Sequence, residues 1–330
     1  TQSTRRRGLL FSALTLPWLF YIAAVGGDIF PAWRHFVPVL IIFSLALGEG
    51  LILVLQRLHH RTRLALNIAL ALSFAFYYNN QLRNPLNLAA AQERWEWDGQ
   101  AVGLVLKHAF SPAQPLFAVD SAGCLPYFSE LPAIDMLGLN DHYIAHHPPA
   151  NFGNGILGHE LGDGDYVWRR QPDIISFCWP QGSETACYRS GLQIQEKADF
   201  VRDYSLVHLQ TPKPHQFLAL LWLRKNSEKI GIRATVDQIV IPGYLFNENG
   251  ETYTYLNASG QLVIAVSATR PAAVTIQREF VGNWRVQIIT SDPHKISVAI
   301  DDQGAGNTRI GLRSQSSEKV EVQTVILTRE

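Results

Sequence analysis

The chain has 330 residues, 47% of them hydrophobic, and no net charge at pH 7. It is long enough for more than one domain and apolar enough to bury a large core. The zero hides a split: residues 1–83 hold eight Arg against Asp28 and Glu49, while the remainder holds 20 basic and 26 acidic residues. A basic first part and an acidic second part leave no extended basic surface, which excludes nucleic acid as a partner.

Two apolar runs, 8–25 and 36–55, open the chain. At 1.5 Å per residue they would reach about 27 Å and about 30 Å, against a hydrocarbon core of about 30 Å. A third run, 64–78, would reach only about 22 Å and needs Tyr77, Tyr78 and Asn79, or a locally thinned bilayer, to complete a crossing. Arg5, Arg6 and Arg7 precede the first run, and Arg57, Arg61 and Arg63 lie between the second and third. The positive-inside rule puts both clusters in the cytoplasm, and so puts the loop 26–35 and everything after about residue 80 outside. No small-residue cleavage site marks the first run as a signal peptide. With Thr1 first and Met136 the only methionine, the chain is expected to be a piece of a longer one.

The loop reads Gly26-Gly27-Asp28-Ile29-Phe30-Pro31-Ala32-Trp33-Arg34-His35. It holds an acid, an arginine and a histidine at one membrane surface; the plain alternative is a hairpin turn with snorkelling charges. Pro17 is expected to kink the first span. Glu49 sits mid-span between Gly48 and Gly50, where a carboxylate costs several kcal/mol unless neutralised, paired or hydrated. Function is one reading of such an acid, and a protonated side chain bonded to a neighbouring helix is the other.

After a linker at 81–87, residues 92–109 have a helical pattern. Strands are expected at 115–120, 133–137, 173–178, 204–209 and 217–223, alternating with helices as in a small α/β domain. From about 230 the runs 232–241, 261–267, 273–277, 284–289, 296–300 and 320–327 alternate between polar turns and suggest a β-sandwich. The expected architecture is three transmembrane helices (1–83), an extracytoplasmic α/β domain (84–228) and a C-terminal β-sandwich (229–330). Cys178 and Cys187 flank a loop that a disulfide could close in an oxidising compartment; three reduced cysteines are the alternative.

Polar residues thicken between 119 and 173. Asp120 and Ser121 end an expected strand, where α/β folds place ligands. Asp141, His142, His146 and His147 follow, then His159 and Glu160, then Asp163 and Asp165. The spacings match no standard zinc site, and no metal or cofactor is assigned. A sugar- or phosphate-binding surface and a merely polar loop both fit. There is no Gly-rich phosphate loop, nucleophile elbow or metalloprotease motif.

The Gly-Gly-Asp loop with Arg34, entering a span through Pro38, resembles a late loop of bacterial GT-C-type glycosyltransferases, in particular the group of the mycobacterial terminal arabinofuranosyltransferase. The stretch 120–145 (Asp120-Ser121-Ala122-Gly123, Pro126-Tyr127-Phe128-Ser129, then Ile134 to Asp141), followed by Gly158-His159-Glu160, Tyr166 and Pro172-Asp173, is similar to the start of that group's outer domain. The resemblance covers about 26–177, and the tail resembles by pattern a carbohydrate-binding sandwich. It implies a multi-pass protein of the bacterial cytoplasmic membrane. The implied reaction moves a sugar, such as the pentofuranose arabinofuranose, from a polyprenyl-phosphate donor to a cell-envelope glycan. It further implies Arg34 beside the donor phosphate, Asp28 and His35 shaping the loop, and Asp120, Asp141, His159 and Glu160 lining the sugar cleft. The group carries its catalytic acids in an early Asp-Asp loop, but the one Asp-Asp here, Asp301-Asp302, lies in the β-rich tail. The chain therefore resembles the last three spans plus the outer domain, with no catalytic base assigned. The competing reading is a membrane-tethered glycan-binding or sensor protein without enzymatic activity.

Overall fold

A 23-residue helix, α1 (Gln2–Ala24), runs through Pro17 and packs against α2 (Val37–Leu55). Between them Pro31–Phe36 forms a short 3-10 helix, and Pro38 in the first turn of α2 suits a position whose N–H has no helical partner. The computed structural model describes residues 2–27, 31–156, 158–248, 250, 252–280 and 282–330. Asp28 lies outside the described residues. The segments Arg5–Ala24 and Trp33–Leu55 are long and apolar enough to cross a membrane, and side chains such as Leu9, Phe20, Leu45 and Leu47 are exposed on them, as lipid contact would require. Next comes α3 (His60–Gln81), with no buried residue. Its 22 residues span about 33 Å, because the helix extends past the apolar run into His60–Arg63 and Asn79–Gln81. Then α4 (Pro85–Gln92), capped by the Asn84 side chain accepting from Leu86 N–H, packs on the 31–36 turn.

The chain divides into two compact units at Glu93/Arg94. The packing of α4 on the turn places residues 84–93 with the helical unit, ten residues beyond the boundary expected from sequence.

The second unit begins with α5 (Trp95–Phe110), whose Glu96 and Asp98 in the first turn and Lys107 and His108 in the last complement the helix dipole. There follow β1 (Phe117–Val119), α6 (Cys124–Ser129), β2 (Ala133–Asp135), α7 (His142–His146), α8 (Gly164–Arg169), β3 (Ile174–Ser176), α9 (Arg189–Gln195), α10 (Phe200–Asp203), β4 (Tyr204–Gln210) and β5 (Leu218–Arg224). The β-rich stretch comprises β6 (Arg233–Ala234), β7 (Gln238–Pro242), β8 (Thr254–Leu256), β9 (Leu262–Val266), β10 (Ala272–Ile276), β11 (Trp284–Thr290), β12 (Ile296–Gly304), β13 (Asn307–Ser314) and β14 (Val320–Arg329).

Among the described residues one sheet takes the order β2-β1-β3-β5-β4-β8-β9-β14-β7-β6, with β11 also on β14, and a second takes β10-β13-β12. The first three strands of the large sheet are mutually parallel. They are apolar on both faces because both are covered. Phe117, Val119 and Ile174 join one cluster with Val102, Leu106 and Phe110 of α5. Ala118, Ile134 and Ile175 join another with Ile144, Val167 and Phe200.

The sheet runs across the expected boundary at 228/229. β4 and β8 meet at Leu209 and Thr254, the buried Asn247 donates to Leu206 O at 3.0 Å, and the α5 cluster continues through Ile239, Ile264 and Val322 to Val274 and Leu312 of the smaller sheet. Residues 94–330 are thus a single unit with a shared core. The stretch 232–241 holds two strands, and β8 and β13 are additional to the expected set.

Candidate functional site

The three parallel strands end together: Val119 pairs with Asp135 on β2 and with Ser176 on β3. Because β1 sits between them, the chain leaves it toward β2 on one side and β3 on the other. That is the switch point at whose carboxyl edge α/β sheets bind ligands.

Asp120 is the first residue beyond β1 and is 2% exposed. Its Oδ2 accepts from Cys178 N–H at 2.8 Å, while Oδ1 is buried without a hydrogen-bond partner. Ser176 Oγ, at the end of β3, is likewise buried and unpartnered. Ser121 Oγ donates to Cys178 O at 2.8 Å, so side chains from the β1 loop hold both backbone groups of Cys178. Cys178 and Cys187 are disulfide-bonded, with Cα atoms 5.7 Å apart. Gln181, in the loop they close, donates to the buried Asp98 of α5 at 2.5 Å. Trp179 meets Trp95 edge-on at 5.8 Å.

Burial pushes the Asp120 carboxyl up to about 7; the Cys178 N–H opposes the shift and the charge of Asp135 adds to it. A carboxyl titrating near neutrality can give or take a proton at physiological pH. Burial also raises Asp135, against the pull of backbone N–H groups led by Asn140 and Leu137. Its oxygens accept from Leu137 N at 3.0 Å and Asn140 N at 2.7 Å, so Asp135 holds the turn after β2. The Tyr188 hydroxyl is raised by burial and by the nearby charge of Asp120. The His159 ring stacks on Tyr188 at 4.6 Å. The half-buried His159 and Tyr188 therefore lead from the surface toward Asp120.

Of the four residues expected to line a sugar cleft, the structure groups Asp120 and His159, through Tyr188. Asp141 and Glu160 are engaged in local structure. Asp141 caps α7, accepting from Ile144 N at 3.0 Å and from Tyr166 Oη at 3.1 Å, and Glu160 accepts from Gly155 N at 2.6 Å. Ser176 and Tyr188 carry no local sequence signal, since only the crossovers bring them beside Asp120. Among the described residues no three His, Cys, Asp or Glu side chains converge as a metal site.

In the helical unit, Arg34 and His35 sit on the 3-10 turn. Trp18 Nε1 donates to His35 O at 2.7 Å, and the rings of Tyr21 and His35 lie 6.3 Å apart. Arg34 is exposed. Glu49 is paired with Arg7 Nη1 at 2.5 Å, so the mid-span acid has a counter-ion on the neighbouring helix.

The class these features define is a protein with two helices long and apolar enough to cross a membrane and, in a separate unit, a sheet with an α/β-type switch point. A family model described as a domain of unknown function (DUF8728) matches residues 80–233, a stretch that includes every residue from Asp120 to Tyr188. No curated protein and no solved structure matches the chain.

Proposed function

We propose that this chain is part of a membrane glycosyltransferase that moves a sugar from a polyprenyl-phosphate donor to a cell-envelope glycan outside the bacterial cytoplasmic membrane. The observation that carries the reading is the exposed Arg34 on a turn pinned by the Trp18–His35 bond at the mouth of an apolar helix. A lipid-linked phosphate needs a cation where hydrocarbon meets water, and a guanidinium meets phosphate oxygens in a two-pronged geometry. Asp120, Tyr188 and His159 supply the kind of polar edge that orients a hydroxylated ligand. On this reading α3 is a third span, the unit after residue 93 lies outside, and the resemblance points to a pentofuranose such as arabinofuranose as the sugar. The reading calls for no cofactor and assigns no residue here as the base.

The test is transfer of radiolabelled sugar from a polyprenyl-phosphate donor to a short glycan acceptor by the full-length protein. Arg34→Ala is expected to lower the rate at least about tenfold, the effect of one charge-assisted hydrogen bond. Arg34→Lys should restore only part of it, because lysine keeps the charge and loses the planar fork. Equal rates for wild type and Arg34→Ala would overturn the reading.

A further inference from the structure

At the opposite, amino-terminal end of the same strands lies a second cleft, of about 240 Å³. Trp168 of α8 and Tyr204, the first residue of β4, form its aromatic wall with ring centroids 5.9 Å apart. Tyr204 Oη donates to Pro172 O at 2.6 Å, which fixes the buried ring in the wall of the cleft. The polar wall is built from Arg224, Asp203, Gln171 and Asn226.

Arg224 is held rigidly. Its Nη2 donates to the buried Asp173 at 3.0 Å and its Nη1 to Gln171 Oε1 at 3.1 Å, while its Nε is buried without a hydrogen-bond partner. Gln171 holds its side of this contact from the left-handed region, φ 49°, just past the end of α8, where glycine is the usual residue. Glycine would relieve that backbone but would have no amide to offer Arg224. Among the described residues the Trp168 indole N–H and the Asn226 amide make no hydrogen bond, so both are available to a ligand.

The charges around the cleft balance, with Asp173, Asp199 and Asp203 set against Arg202, Arg224 and Lys225, the last of which feels the charge of Asp203. Arg202 bonds Asp203 through Nε at 2.7 Å and Asp199 through Nη1 at 2.6 Å, and Asp173 holds Arg224. Neither a phosphate nor an amine meets an uncompensated opposite charge here. What remains is an aromatic platform rimmed by planar amide, guanidinium and carboxylate groups. That combination complements a ring with apolar C–H faces and hydroxyls around its edge. The size points the same way: pockets for drug-sized ligands run to about 300–1,000 Å³, and this one is smaller.

We propose that the cleft of Trp168, Tyr204, Arg224 and Asn226 binds one ring of a neutral saccharide, stacked on Trp168 with its hydroxyls bonded to the accessible edge of the Arg224 guanidinium and to Asn226. This is a binding site in which no bond is made or broken, and it does not rest on the transferase reading.

The test is saturation-transfer NMR on the full chain in lipid nanodiscs. Methyl α-D-mannopyranoside and methyl α-D-arabinofuranoside are the saccharide probes, with choline and inorganic phosphate as probes of the other classes. Saturation is expected on the ring C–H protons of at least one glycoside. Trp168→Ala should weaken it about tenfold and Asn226→Ala at least about threefold, the range set by one modest contact or hydrogen bond. Trp168→Phe should retain most of the signal, and Lys295→Ala, whose partners are Asp292 and Glu318 in the β-rich stretch, should leave it unchanged. Should Trp168→Ala fail to fold, Asn226→Ala, on the exposed rim, decides alone. No transfer to either glycoside, transfer only to choline or phosphate, or binding abolished by Asp120→Asn and untouched by Asn226→Ala would each overturn the proposal. The Arg34 variants report on the transferase reading alone, so the two can fail separately.

Discussion

A carboxyl raised by burial, as Asp120 is, binds its proton more tightly in the fold than in the unfolded chain. The stability associated with that proton is fully present below the unfolded value of 3.8 and declines as pH rises to about 7. The decline from this one group is on the order of 4 kcal/mol at most. Asp120→Asn removes the titration and can keep an oxygen for the Cys178 N–H. Urea midpoints of wild type are therefore expected to fall between pH 4 and pH 7 more steeply than those of Asp120→Asn, with the variant the more stable at pH 8. Parallel pH profiles would show that Asp120 ionises freely in the fold. Asp120 was legible in the sequence because a strand running into Asp-Ser-x-Gly is a local pattern. Tyr188 was not: 68 residues separate it from Asp120 along the chain, and only the crossover through β3 brings them together. Asp141 and Glu160 read as ligand groups for the opposite reason, since a cap or loop clamp uses the same residue types as a site.

Between elements, α5 and α6 of the α/β part approach closely at two glycines. A Cβ added at Gly103 would lie 2.8 Å from Leu125 O and 3.0 Å from Ser129 N, both backbone atoms. Gly99, one turn earlier, faces Leu125 N at 3.1 Å in the same way. Gly103→Ala is expected to cost about 1–3 kcal/mol by overpacking, more than the roughly 1 kcal/mol that alanine gains in a helix interior. Chemical denaturation of the purified protein measures the difference. Two glycines four residues apart inside an amphipathic pattern could have announced this contact. The disulfide is the second constraint at this scale. Closing a loop of about ten residues is worth about 2.7 kcal/mol on the chain-entropy model, so Cys178→Ser with Cys187→Ser should lower stability by roughly that amount. Because Cys178 N–H also serves Asp120, the double variant is expected to shift the Asp120 titration, which pH-dependent denaturation reads. β13 escaped the sequence reading because its alternation of Thr308, Ile310, Leu312 and Ser314 contains only two large apolar residues.

For the whole molecule, the orientation proposed above makes Gly250→Cys accessible to a membrane-impermeant maleimide in intact cells and His59→Cys protected. The reverse pattern would invert the protein in the membrane. The segments Arg5–Ala24 and Trp33–Leu55 were readable because an ability to cross a bilayer imposes length and apolarity residue by residue. The unity of residues 94–330 was not, because it depends on pairings far apart in sequence. Leu209 with Thr254 joins two patterns that look like separate domains. β14 pairs with β7, β9 and β11 at once. This last feature bears on how the protein is made. β7, β9 and β11 are all synthesised before the strand that joins them. At translation rates of about 5–20 residues per second, the roughly 90 residues from β7 to the end of β14 take about 5–20 s. By the end of that interval three strands present open edges, a state in which a holding chaperone, or a delay in further export, decides between folding and aggregation.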